Sequence, residues 1–205
     1  MIRIDDTIRQ QREADSESDL RKALRTDPSN VDLQKQLGNL LIDEGRPKDA
    51  LPILRKALAL KPSDREIITL TAGVLQLLDR DEEAIWLMNE KIPADPCCKE
   101  FHHLLACLYA RIDRSAEAVL EFEEALEIDP SEVRVRNDLA ALYLIDGMLG
   151  EAIREFKIAL DYDPGNAEAV MSLDVIAREC KMAGCGGNTA KKWKRVVRKR
   201  SPKSW

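Results

Sequence analysis

The segment CCKEFHHLLAC at 97–107 gathers three of the five cysteines and both histidines of the chain. Thiolate and imidazole are the side chains that hold zinc or copper. His103 and Cys107 stand four residues apart, so a helix puts them on one face, within reach of a single metal ion. Against a metal, the segment has no cysteine pair separated by two residues, the spacing that marks a structural zinc site. Cys107 is more simply a small hydrophobe and His102 a residue of helix packing. No metal and no cofactor are expected.

The rest of the chain offers little to a reaction. No nucleophile motif and no acid–base dyad is visible. The glycines of GCGGNTA at 184–190 follow a helical stretch and open nothing resembling a phosphate loop, so they read as a flexible linker. The chain is not expected to be an enzyme.

What would position any of these side chains is a repeat. Pro28, Pro62, Pro96, Pro130 and Pro164 stand 34 residues apart. The residues ahead of them recur as LRKALRTDP, LRKALALKP, FEEALEIDP and FKIALDYDP. Small residues form columns in the same phase: Gly38, Ala72, Ala106 and Ala140; Ala50, Ala84, Ala118 and Ala152; Ala57, Ala125 and Ala159. Large apolar residues form others: Leu37, Leu105 and Leu139; Tyr109 and Tyr143; Leu54, Met88, Phe122 and Phe156. Spacings of three and four within each unit predict two amphipathic helices per repeat. The small columns predict where two helices cross closely. Gly45 and Gly147 fall at the turn between them, where a helix ends in a left-handed residue.

This pattern resembles the tetratricopeptide repeat (TPR) family, whose unit is a 34-residue antiparallel helix pair. The resemblance implies an all-α fold, a right-handed α-solenoid of stacked antiparallel helix pairs. Full repeats are expected at 31–64, 65–98, 99–132 and 133–166, after a degenerate repeat at 1–30 and before a capping helix at 167–182. Residues 183–205 are expected to be a linker and tail. Repeat 65–98 departs from the pattern, with Thr71, Asp79 and Lys91 at the large, turn and small positions and Pro93 ending its second helix early. Local drift with Lys91 reaching outward explains this most simply; a bend in the solenoid is the alternative.

The resemblance also implies a binding face, made by the second, fifth, ninth and twelfth positions of each first helix. Those are Asp32, Lys35, Asn39 and Ile42; Glu66, Thr69, Gly73 and Gln76; Glu100, His103, Cys107 and Ala110; and Arg134, Asn137, Ala141 and Leu144. Of these, Lys35, Asn39, Thr69, Gln76, His103, Cys107, Arg134 and Asn137 are the partner-binding candidates. Lys35 and Asn39 match two positions of the clamp by which some members hold a chaperone's terminal carboxylate. Leu70, Glu100 and Leu104 break the rest of that clamp, so co-chaperone activity is not the leading expectation.

Charge is divided along the chain. Residues 191–205 hold eight Lys or Arg and no acid, whereas the other 190 hold 24 basic and 37 acidic residues. Lys191, Lys192, Trp193, Lys194, Arg195, Arg198, Lys199 and Arg200 would suit nucleic acid, an anionic membrane or an acidic protein groove. A solvated tail is the plainer reading. The early acids of MIRIDDTIRQQREADSES do not read as a secretory signal, and an odd cysteine count without framework spacing implies reduced thiols and a cytoplasmic location. The leading expectation is a scaffold or adaptor that binds a peptide or partner helix on the first-helix face. The rival is a nucleic-acid- or membrane-associated protein acting through its tail, with the repeats for assembly and homo-oligomer formation open.

Overall fold

The turns that start each helix pair are written into the sequence. In DPS, Asp27 Oδ1 accepts from the Ser29 backbone N–H and hydroxyl, and Asp129 Oδ1 accepts in the same way from Ser131. In DPG, Asp163 Oδ1 accepts from Gly165 N. Two residues after the proline comes the N-cap: Asn30 accepts from Leu33 N, Asp64 from Ile67 N and Asn166 from Ala169 N. Each satisfies an amide that has no partner within its own helix.

The computed structural model describes residues 16–183. Ten α-helices lie among them: α1 over 16–26, α2 Val31–Asp43, α3 Pro47–Leu60, α4 Arg65–Leu77, α5 Asp81–Lys91, α6 Lys99–Arg111, α7 Ser115–Ile128, α8 Val133–Asp146, α9 Leu149–Tyr162 and α10 Ala167–Ala183. No strand occurs among the described residues. The chain divides into two compact units after Ala94. In the first, α2 packs on α3, α3 on α4 and α4 on α5. In the second, α6 through α10 pack in the same consecutive way. Each unit is a stack of helix pairs, the all-α fold that the repeat predicts. None of the described helices is long and apolar enough to cross a membrane.

The columns of small residues are the helix crossings. All eleven are buried. A Cβ on Gly38 would stand 2.7 Å from Leu54 Cδ2, so a larger residue at this crossing would require the Leu54 side chain to shift. The large columns fill the core between crossings, with Phe122, Phe156, Leu54 and Met88 all sealed from solvent.

Repeat 65–98 keeps two of its small crossing residues, Ala72 and Ala84, both buried, and changes the third position and its edges. Thr71 is buried and donates its hydroxyl to Ile67 O at 2.7 Å, which satisfies it within α4. Asp79 takes the left-handed turn conformation, φ 56°, that Gly45 and Gly147 take elsewhere. Asp113 does the same at φ 60°; aspartate tolerates this region better than most residues. Pro93 has no N–H for the carbonyl four residues back, so α5 stops at Lys91 and a single 3-10 turn, Ile92–Ala94, follows. Lys91 carries its ammonium to Glu90 at 2.8 Å, as a lysine lying along the surface would.

Candidate functional site

The first helices α2, α4, α6 and α8 bury one stripe in the core and leave a second, polar one at the surface. In the first unit this stripe holds Lys35, Asn39 and Ile42 on α2, with Thr69, Gly73 and Gln76 on α4, all partly exposed. Lys35 Nζ reaches Glu66 Oε2 at 2.6 Å and lies near Asp64 and Asp32. The bond to Glu66 raises its pKa above the ordinary lysine value. Lys35 therefore ties one repeat to the next and brings its own anions. Thr69 donates its hydroxyl within α4, near the carbonyls of Arg65 and Glu66. A Cβ added at Gly73 would meet nothing within 4 Å. The backbone there is open to approach.

In the second unit α6 supplies His103 and Cys107, and α8 supplies Arg134, Asn137 and Asp138. His103 Nε2 lies 2.6 Å from Asp138 Oδ2, and its ring tilts against Phe122 with centroids 5.9 Å apart. Burial, and then the Asp138 carboxylate, push the Cys107 thiol up to about 12, with Arg134 pulling it part of the way back. A thiol held that high is protonated at neutral pH, so Cys107 and His103 are not an activated nucleophile and base. Donor atoms of His103, Cys107 and Asp138 all lie within 4.8 Å of one another.

Asn137 is placed differently from the exposed hydrogen-bonding role its position suggests. It is buried, and Nδ2 donates to Asn166 Oδ1 and Glu168 Oε2, both at 3.0 Å. The side chain thus fastens α8 to the cap of α10. Leu144 is buried too. Arg134 is exposed. The tail candidates from Lys191 to Arg200 lie outside the described residues, as does the linker at 184–190.

Two features escape a reading of the sequence by columns. Asp138, one position past Asn137, is the residue that α8 turns toward α6. The other is a tether. Gln34 Nε2 donates to Pro28 O at 2.7 Å, His102 Nε2 lies 3.1 Å from Pro96 O, and Arg136 donates to Pro130 O through Nε and Nη2. The common spacing of six from the proline was the signal for it. His102, in addition to packing, holds Glu121 at 2.8 Å through Nδ1.

Elsewhere in the first unit, Leu58, Leu75, Trp86 and Leu87 line a cavity of about 310 Å³, with the Arg55–Glu83 ion pair beside it. Trp86 is 66% exposed.

Models of the tetratricopeptide repeat match residues 4–65, 41–108 and 100–132, and so together run from 4 to 132. No curated protein matches the sequence. Among solved structures, MamA is 24% identical with a TM-score of 0.68 over 82% of this chain and 99% of its own. The Pseudomonas aeruginosa pilF protein is 23% identical with a TM-score of 0.67, covering 96% of this chain and 88% of its own. YrrB, described as a TPR protein with an unusual peptide-binding site, is 19% identical with a TM-score of 0.59, over 90% and 93%. At these identities the likeness is one of fold.

Proposed function

The chain belongs to the tetratricopeptide repeat family, and from that premise we propose that it is a protein-interaction scaffold whose first-helix face holds a peptide or partner helix. The observation that carries this reading is the partly exposed stripe of α2 and α4, with open space over Gly73 between Thr69 and Gln76. A partner backbone needs close approach and a mixture of polar and apolar contacts, and this stripe offers both. The peptide-binding site in YrrB's description supports the same reading, since it belongs to a protein of this fold. Catalysis by the chain itself is not part of the proposal. The cytoplasm, where its thiols stay reduced, is the setting it suits.

A photo-crosslinking residue at position 73, set against one at exposed Leu120, tests the proposal in lysate. Adducts at 73 that persist in a chain ending at Met182, and vanish when Thr69 or Gln76 beside it is replaced by Trp, are the expected result. Adducts that require residues 183–205 and weaken steeply with salt would instead make the basic tail the working part, as the eight positive charges of 191–205 allow.

A further inference from the structure

We propose that His103, Cys107 and Asp138 form a binding site for zinc(II), built across two successive repeats and completed by water or by a partner's side chain. The inference goes beyond the scaffold reading and does not depend on it.

Three donors of three kinds meet at one place. His103 and Cys107 lie one turn apart on α6, the spacing by which a helix offers two ligands to one ion. Asp138 comes from α8, in the next repeat. The mutual distances, all within 4.8 Å, close to those around a tetrahedral ion by small side-chain movements, because zinc bonds run about 2.0–2.3 Å. The donor set also selects the metal. Magnesium and calcium take oxygen ligands, whereas a thiolate, an imidazole and a carboxylate together suit a borderline-soft ion. Three protein ligands with a fourth position open is an arrangement zinc commonly adopts.

The setting is partly built. Phe122 packs against the His103 ring, and Leu105 and Leu139, both buried, anchor α6 and α8 beside the ligands. The His103 and Asp138 side chains remain 13% and 23% exposed, which leaves a route in for the ion and room for a fourth ligand. Without metal, His103 and Asp138 bond to each other at 2.6 Å. Zinc would replace that bond and take the thiolate of Cys107, whose proton leaves to solvent. Arg134 stands near Cys107 and opposes a cation, but it is exposed and free to turn outward. Bound zinc would pin α6 to α8 and stabilise the second unit, since metal affinity becomes folding free energy.

Cobalt(II) added to the reduced, metal-stripped full chain is the test. One equivalent should bind with a thiolate-to-cobalt charge-transfer band in the near ultraviolet, and zinc should abolish it by displacement. Cys107→Ser should remove the band. His103→Gln and Asp138→Asn should each weaken binding by roughly tenfold or more, at least the loss seen when a mere outer-shell partner is removed. Cys97→Ser should change nothing. Circular dichroism of each variant before titration, with Cys107→Ala as a second replacement, separates lost binding from lost fold. Zinc should also raise the unfolding temperature of the natural chain but not that of Cys107→Ser. Binding without a thiolate band, a band that survives Cys107→Ser, or no binding at all would each overturn the site and leave a His103–Asp138 pair beside a half-buried thiol.

Discussion

Repeats 65–98 and 133–166 cross their helices over the same small residues, Ala72 and Ala84 in one and Ala140 and Ala152 in the other, all buried. They differ in what lies beside the crossings. In 133–166, Arg136 donates to Glu155 at 3.0 Å and to Pro130 O, and sits 5.5 Å over the Tyr162 ring. In 65–98 the corresponding positions are Ile68 and Leu87, both buried. Repeat 99–132 has a polar pair there, His102 with Glu121. Repeat 31–64 has half of one: Gln34 faces Ile53 in sequence register, and its buried Oε1 finds no partner among the described residues. The close crossings at the first two small columns are thus common to the repeats, while the layer beside them is a matched polar pair in two repeats, matched hydrocarbon in 65–98 and a mixture in 31–64. Mixing the two is what should cost.

The largest effect follows from splitting the pair. Arg136→Ile leaves buried Glu155 with only exposed Arg154, at 3.3 Å, in place of its closer partner, and about 3 kcal/mol of stability should be lost. Arg136→Ile with Glu155→Leu copies repeat 65–98 and should recover most of it, because a well-packed apolar pair replaces a buried ion pair at little cost. Urea unfolding of the two single variants and the double variant measures the coupling. Additive losses would show that the two repeats are not alternative solutions of one layer.

The crossings should respond alike in both repeats. Ala152→Leu and Ala84→Leu each force a larger side chain between helices already in contact, at about 1–3 kcal/mol apiece. A loss in one repeat only, again by urea unfolding, would mean that the irregular repeat is loosely packed.

The turns make a finer contrast. Gly147 and Asp79 both hold positive φ, 79° and 56°. Gly147→Ala should cost about 1–2 kcal/mol, the price of a side chain in the left-handed region, and Gly147→Asp about half as much, since aspartate reaches that region more readily. Equal losses would remove the explanation for an aspartate at this turn.

How far the sequence could be read follows from the same layers. The 34-residue spacing, the buried small columns and the end of α5 ahead of Pro93 depend on residue size and backbone constraint, which local sequence carries directly. Pair identity at Arg136–Glu155 or His102–Glu121 depends on what the second helix brings opposite, nineteen residues on, and column-wise reading treats each position alone. The candidate site was legible only in part for the same reason. His103 and Cys107 share a helix and stand out by spacing. Asp138 joins them through a neighbouring helix, and Asn137 is buried because α10 brings Asn166 and Glu168 to it.

The smallest contrast lies in the turns that lead into the two repeats. Asp129, ahead of 133–166, accepts from Lys99 at 2.5 Å and from Ser131, and these bonds hold its carboxyl down to about 2 from 3.8. Ahead of 65–98 the same position is Lys61, which has no carboxylate to protonate. A group whose folded pKa is depressed contributes stability that is present above its unfolded pKa and lost as pH falls through the folded value. The contribution of Asp129 is therefore whole above pH 3.8 and fades between there and about 2. Asp129→Asn should destabilise the chain slightly at pH 6, and the difference should shrink toward nothing near the lower end of that window. Lys99→Met should show the same convergence, because it removes the largest cause of the shift. Urea midpoints for the three chains at pH 6 and at the acid end of the window decide the matter. A gap that persists in acid would assign the loss to the packing of the turn and not to its charge.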